Sequence, residues 1–134
     1  MDDFWNSLPA DVEDLRDTPP GRYRGFMSGY QLVRTDDAKN YAILEFKVAE
    51  PLSGQDMTGV ETNRPLRSGR LYFTPKAAPI SKRSLKNLFP QWNDDVPWKD
   101  NFEQMVGTEA VFEYRAEKGM NGKEYLNVTK FQAA

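Results

Sequence analysis

The chain has 134 residues and a mass of 15.4 kDa, which corresponds to a single domain of ordinary size. It contains neither cysteine nor histidine, so disulfides, thiolate nucleophiles, Ser–His–Asp catalysis and the usual zinc sites are excluded. No apolar run approaches the length of a membrane-spanning helix, and the acidic start Met1–Asp3 differs from a signal peptide. We therefore expect a soluble cytoplasmic protein, and nothing in the sequence predicts a bound cofactor or metal.

The net charge of -2 conceals an uneven distribution of charge along the chain. Residues 1–20 carry six acidic side chains and one basic side chain, whereas residues 62–93 carry seven basic side chains and no acidic one. Solvent-exposed surfaces normally mix both signs, so a stretch of 32 residues without a carboxylate favours a polyanionic partner.

Residues 1–20 are predicted to form an acidic N-terminal arm with a helix. Leu8, Val12 and Leu15 have helical spacing, and the Thr-Pro-Pro-Gly sequence at residues 18–21 ends the helix. The arm allows three interpretations: a mimic of DNA that occupies the basic site, a peptide that recruits replication or recombination proteins, or a helix docked on the main domain.

The remainder, residues 21–134, is predicted to form one domain built mainly from strands, because apolar and polar residues alternate along it. Gly25 and Gly29 indicate bends or bulges in the first strand, and Asn121-Gly122 is a hairpin signal before the last. The five predicted strands are Arg22–Val33, Tyr41–Ala49, Arg70–Thr74, Thr108–Glu117 and Glu124–Phe131.

The strand pattern also predicts which side chains form the core. In the second strand, one face consists of Ala42, Leu44, Phe46 and Val48, which we assign to the interior. In the first strand, the parity that buries Tyr23 and Met27 turns Arg22, Arg24 and Phe26 outward.

A helix is predicted over Ser81–Phe89, between the third and fourth strands, with Ser81 as its N-cap. Its apolar stripe consists of Ile80, Leu85, Leu88 and Phe89. A second, shorter helix is predicted over Asp100–Val106 with Asp100 as its cap. This order favours an all-β fold with minor α content, specifically an OB-fold, a five-stranded Greek-key barrel. Another small barrel or an α+β sandwich also fits the order.

Five stretches carry a family resemblance: Pro20–Arg24, Tyr41–Val48, Ser68–Phe73, Met105–Phe112 and Asn121–Phe131. Over residues 19–131 the chain resembles the phage-encoded single-stranded-DNA-binding proteins of OB-fold type. The resemblance implies non-catalytic binding of single strands during phage replication or recombination, in the host cytoplasm. It assigns no individual binding residue. Many such proteins end in an acidic tail, whereas this chain ends in Lys130–Ala134, which is not acidic.

Sequence-independent binding of single strands requires cations for the phosphates and aromatic rings for the bases, all in one groove. In an OB-fold that groove crosses the second and third strands. Tyr72, between Arg70 and Lys76, is the best stacking candidate. The predicted DNA-binding set is Arg22, Arg24, Phe26, Tyr41, Lys47, Arg64, Arg67, Arg70, Tyr72, Lys76, Lys82 and Arg83.

Three alternatives stay open at this point. The basic stretch also fits an interaction module that binds an acidic protein, and the sequence is compatible with RNA as the ligand and with a homo-oligomer. Asp36 or Asp37 followed by Glu45 and Lys47 resembles the signature of Mg-dependent nucleases, although the predicted fold offers few of the helices that such enzymes need.

Overall fold

The computed structural model describes residues 16–119 and 121–134, so the helix predicted in the arm lies outside the described residues. The described chain is mostly β, with two short helices, which confirms the predicted class of an all-β fold with minor α content. Its six strands are β1 (Gly21–Val33), β2 (Tyr41–Pro51), β3 (Leu66–Arg67), β4 (Leu71–Tyr72), β5 (Glu109–Lys118) and β6 (Glu124–Ala133). The helices α1 (Ala78–Leu88) and α2 (Trp98–Met105) lie between β4 and β5 in the chain.

All six strands belong to one antiparallel sheet in which β1 is central. β1 pairs with β2 along one edge and with β5 along the other, β2 also pairs with β3 and β4, and β5 pairs with β6. An isolated parallel bridge joins Ser68, directly after β3, to Val128 in β6. The two ends of the sheet therefore meet, which requires the sheet to curve strongly.

The curvature of β1 is located at two shifts of register against β2, one between Arg24 and Gly25 and one between Met27 and Gly29. This confirms the bulges predicted from the two glycines. At Gly25 a Cβ atom would lie 1.9 Å from the carbonyl oxygen of Lys47, so only glycine fits there. At Gly29 the nearest atom to such a Cβ lies 3.7 Å away, in the side chain of Glu45.

The core lies between the inner faces of the sheet and the two helices. The four residues assigned to the inner face of β2 are all buried, as are Tyr23 and Met27 of β1. Leu85 and Leu88 of α1, together with Phe89, are buried as predicted, but Ile80 is 68% exposed and does not belong to the apolar stripe. No helix in the described ranges is long and apolar enough to cross a membrane.

The prediction of one third strand over Arg70–Thr74 is wrong, because the structure has two strands of two residues each, β3 and β4, around Ser68. Ser68 is buried, and its backbone N–H donates to the carbonyl oxygen of Leu44 at 2.8 Å. Its Oγ accepts from the Leu44 N–H at 2.9 Å and donates to the carbonyl oxygen of Gly69 at 2.8 Å. The Ser68 hydroxyl thus replaces a backbone group in the hydrogen-bond pattern along β2. This interrupts the third strand, so that β3 and β4 are separate and the sheet has six strands.

Both predicted helix caps are wrong as well. α1 begins at Ala78, so Ser81 lies inside the helix, where its buried hydroxyl donates to the carbonyl oxygen of Tyr72 at 2.7 Å. α2 begins at Trp98, and Asp100 lies in its first turn, where a carboxylate interacts favourably with the helix dipole. A proline stands at the start of each helix: Pro79 lies in the first turn of α1, and Pro97 is the N-cap residue of α2.

Candidate functional site

A groove with a volume of 1320 Å³ lies between two parts of the sheet. One wall consists of residues 64–72, which include β3 and β4, and the other consists of the β5–β6 hairpin. The two walls meet at the Ser68–Val128 bridge, and residues 16–18 line the groove where the described chain begins.

The first wall carries three exposed arginines, Arg64, Arg67 and Arg70, and we call it the arginine wall. Arg64 Nη1 lies 3.9 Å from the carboxylate of Asp17, and both side chains are largely exposed. Exposed ion pairs of this kind are weak. Within the described part of the chain, Arg67 and Arg70 form no ion pair, so the wall presents guanidinium groups that are available to an anion.

Arg70 is ordered by two tyrosines that stand opposite each other on β2 and β4. Tyr41 and Tyr72 are register partners with ring centroids 5.5 Å apart and an interplanar angle of 59°. The Arg70 Cζ lies 4.6 Å from the centroid of the Tyr41 ring, and its Nη1 donates to the Tyr72 hydroxyl at 3.4 Å. This hydrogen bond, with the neighbouring phenols, raises the pKa of Arg70 above its ordinary value. Tyr72 lines the groove, and Tyr41 packs against both Tyr72 and Arg70.

The hairpin wall contributes an aromatic ring that the sequence reasoning missed. Tyr125 is 47% exposed and lines the groove, with its hydroxyl accepting from Asn121 Nδ2 at 2.8 Å. Its ring lies against the backbone at Gly119, where a Cβ would come within 2.9 Å of the ring. The Asn-Gly hairpin signal identified the turn, but only the pairing of β5 with β6 places this ring opposite the arginine wall.

A third tyrosine, Tyr114, is half-buried in the groove. Burial raises its pKa above the ordinary value for a phenol; the carboxylate of Asp17 raises it further, and the guanidinium of Arg64 opposes this. The hydroxyl of Tyr114 therefore stays protonated at neutral pH and offers the groove an uncharged hydrogen-bond donor.

The groove is not uniformly basic. Its five cationic side chains, Arg16, Arg64, Arg67, Arg70 and Lys118, are accompanied by four acidic ones, Asp17, Glu61, Glu117 and Glu124. Two of the acids, Glu117 and Glu124, lie on the hairpin wall opposite the arginines. A bound polyanion would therefore place its phosphates along the arginine wall.

Of the predicted binding residues, the structure brings Arg64, Arg67, Arg70 and Tyr72 together in the groove, with Tyr41 in contact. Lys76, Lys82 and Arg83 lie apart, before or on α1. Lys82 Nζ is 2.5 Å from the carboxylate of Asp94, which also attracts Lys86 at 3.7 Å. The basic stretch 62–93 is thus divided between the groove and a helix.

The remaining predicted residues lie on the outer faces of β1 and β2. Arg22 lines a second, smaller cavity of 300 Å³ beside α1, and Arg24 lies 4.0 Å from the carboxylate of Glu50. Phe26 and Lys47 are register partners. The outward orientation predicted for the β1 residues is confirmed, while their contribution to DNA binding stays a prediction.

The residues of the nuclease-like signature do not form a carboxylate cluster. Asp37 accepts hydrogen bonds from the Thr35 hydroxyl at 2.6 Å and the Lys39 N–H at 3.2 Å, and so organises the β1–β2 turn. These hydrogen bonds, with the one from Thr35 the largest contribution, lower the pKa of Asp37. In residues 16–119 and 121–134, no three acidic side chains are close enough together to hold a metal ion.

The groove thus has arginines and Tyr72 on one wall, and Tyr125 and the half-buried Tyr114 on the other. No protein-family model matches the sequence, and the search of curated proteins found no significant match. The role of the groove must therefore be inferred from its own chemistry.

Proposed function

We propose that this protein binds single-stranded DNA in the groove, without catalysis and largely independently of sequence, in phage DNA replication or recombination in the host cytoplasm. Three arginines on one wall, combined with the half-buried ring of Tyr72 on that wall and the exposed ring of Tyr125 on the other, carry the proposal. Guanidinium groups replace the counterions of phosphates, and tyrosine rings stack on bases.

The tyrosines favour a single strand over a duplex. Stacking on an aromatic side chain contributes about 1–3 kcal/mol per base, and it requires a base whose face is free. In a duplex the faces are covered by neighbouring base pairs, so the rings of Tyr72 and Tyr125 would contribute little. The first turn of α1 has no charged side chain, and in the first turn of α2 the charge of Lys99 is offset by Asp100, so neither described helix begins with the basic turn that enters a major groove.

We also propose that the fold is an OB-fold. Three features support this: β1 pairs with both β2 and β5, the helices lie before β5, and the parallel Ser68–Val128 bridge closes the sheet. β3 and β4 together take the place of the third OB strand. The groove then lies on the face of strands two and three, flanked by the last hairpin, where OB-folds bind oligonucleotides.

The direct test is fluorescence anisotropy with labelled single-stranded DNA, duplex DNA and RNA of equal length at several salt concentrations. With Arg64, Arg67 and Arg70 each contacting one phosphate, we expect a log–log salt slope of about -2 for the single strand. A flat salt response, or tighter binding of the duplex, would contradict the proposal.

Tyr125→Ala is expected to weaken binding of single-stranded DNA by about 5- to 100-fold, the equivalent of one stacked base. Tyr125→Phe keeps the ring and serves as the control, with a change of less than about twofold because only the hydroxyl contact to Asn121 is lost. Equal affinities of the two variants for single-stranded DNA would show that the ring stacks on no base, which would contradict this part of the proposal.

Asp17→Asn is expected to raise the affinity for single-stranded DNA by about two- to fivefold at low salt. The substitution releases Arg64 from an exposed ion pair worth about 0.2–1 kcal/mol and removes a negative charge from the groove. Glu103→Gln on the exposed side of α2 changes the net charge equally and should leave the affinity unaltered. Equal gains in the two variants would show that only the total charge matters.

A further inference from the structure

The carboxylate of Glu117 lies in the groove close to both of its walls. It lies on β5, and its Oε1 accepts a hydrogen bond from Asn127 Nδ2 on β6 at 3.3 Å. The same oxygen lies 3.6 Å from the position that a Cβ would occupy at Gly69, directly before Arg70. The carboxylate is therefore bonded to the hairpin and lies near the arginine wall.

This carboxylate faces the groove without a cationic partner. Within the described ranges it forms no ion pair within 4.0 Å, although three arginines line the same groove. Asn127 supplies one donor, and a carboxylate has about four lone-pair sites. The Glu117 carboxylate, beside Asn127, thus has free hydrogen-bond acceptor sites for a ligand bound in the groove.

Bases, rather than phosphates, meet this acceptor in the proposed complex. The arginine wall attracts the phosphates, whereas Glu117 and Glu124 repel them from the hairpin wall. A strand bound in this way turns its bases toward the hairpin, where Tyr125 offers its ring. The edge of a base stacked there lies on the same wall as the Glu117 carboxylate.

We propose that Glu117, oriented by Asn127, gives the otherwise largely sequence-independent groove a modest preference for bases that carry an exocyclic amino group; this inference rests on the proposed function. A carboxylate accepts a hydrogen bond from the N4 amino group of cytosine. Uracil and thymine have a carbonyl oxygen at that position, and their N3–H lies between two carbonyl oxygens that repel the carboxylate. Glu117 is thus a specificity-determining residue, while the arginines and tyrosines supply the affinity.

The test compares oligo-dC with oligo-dU of equal length at pH 8, because the two bases differ only in the groups at N3 and C4. We expect the full chain to bind oligo-dC about fivefold more tightly, the low end of what a base contact contributes, because only one hydrogen bond is made. Glu117→Gln should reduce this ratio to within about twofold, because an amide both donates and accepts. Asn127→Ala should lower the ratio as well, because it releases the carboxylate.

Glu124→Gln, on the same wall and with the same change of charge, is the matched control and should strengthen both complexes while keeping the ratio. Equal affinity of the unmodified chain for the two oligonucleotides, or an unchanged ratio in Glu117→Gln, would overturn the selectivity and leave the proposed function standing. Binding of neither oligonucleotide would overturn both.

Discussion

Replacing Arg67 and Arg70 together by glutamine is expected to weaken the binding of single-stranded DNA by about 100-fold, since each charge-assisted contact contributes about 1.5 kcal/mol. The two side chains lie on one wall of the groove, and neither is paired with an acid within the described residues. The log–log salt slope should become shallower by about 1.4, because two phosphate contacts are lost. Anisotropy titrations at three salt concentrations measure both quantities.

The matched control is the double substitution of Lys82 and Lys86 by glutamine. It removes the same amount of positive charge, but from α1, where both lysines lie near the carboxylate of Asp94. We expect the affinity to change by less than about twofold, because these ammonium groups lie apart from the groove and are already paired. If both double variants lost affinity equally, the groove would not be the binding site.

Gly25→Ala is expected to lower the free energy of unfolding by about 3 kcal/mol or more. The added Cβ would lie 1.9 Å from the carbonyl oxygen of Lys47, which is backbone and has to move together with β2. Overpacking commonly costs about 1–3 kcal/mol even where flexible side chains can give way. Urea denaturation of the full chain, followed by circular dichroism, measures the loss.

Gly29→Ala is the control in the same strand and at the second register shift. The nearest atom to its added Cβ is a carboxylate oxygen of Glu45 at 3.7 Å, an ordinary contact with a flexible side chain. The expected change lies between zero and a gain of about 1 kcal/mol, because alanine reduces the conformational entropy of the unfolded chain. A loss equal to that of Gly25→Ala would show that close approach of the backbone is not the cause.

Much of the fold was predictable because local patterns and burial agree in the long strands. In β2, alternation identified Ala42, Leu44, Phe46 and Val48 as the core face, and all four are buried. A strand of this length presents one face to the core, so period-two alternation carries the information directly. The bulge at Gly25 was predictable for a related reason, since only glycine leaves room for the neighbouring backbone to come so close.

The third strand and the helix starts were not predictable, because they depend on contacts distant in sequence. Ser68 divides the third strand by hydrogen bonding to the backbone of Leu44, which lies 24 residues earlier. Ser81 looks like an N-cap in the sequence, but its hydroxyl donates to the carbonyl oxygen of Tyr72 instead. The local propensities of the residues around Ser68 and Ser81 carry no information about these distant partners, Leu44 and Tyr72.

For the candidate site, the amino-acid sequence establishes the available chemistry: a stretch rich in arginine and lysine, tyrosines at outward strand positions and no residue for thiol or imidazole chemistry. Which of these groups share a surface depends on the folded sheet. It placed Arg64, Arg67 and Arg70 in the groove and set Lys82 beside Asp94 on α1. It also brought Glu117 and Tyr125 opposite the arginines, because the position of a side chain in a folded sheet depends on strand pairing and closure rather than on its neighbours along the chain.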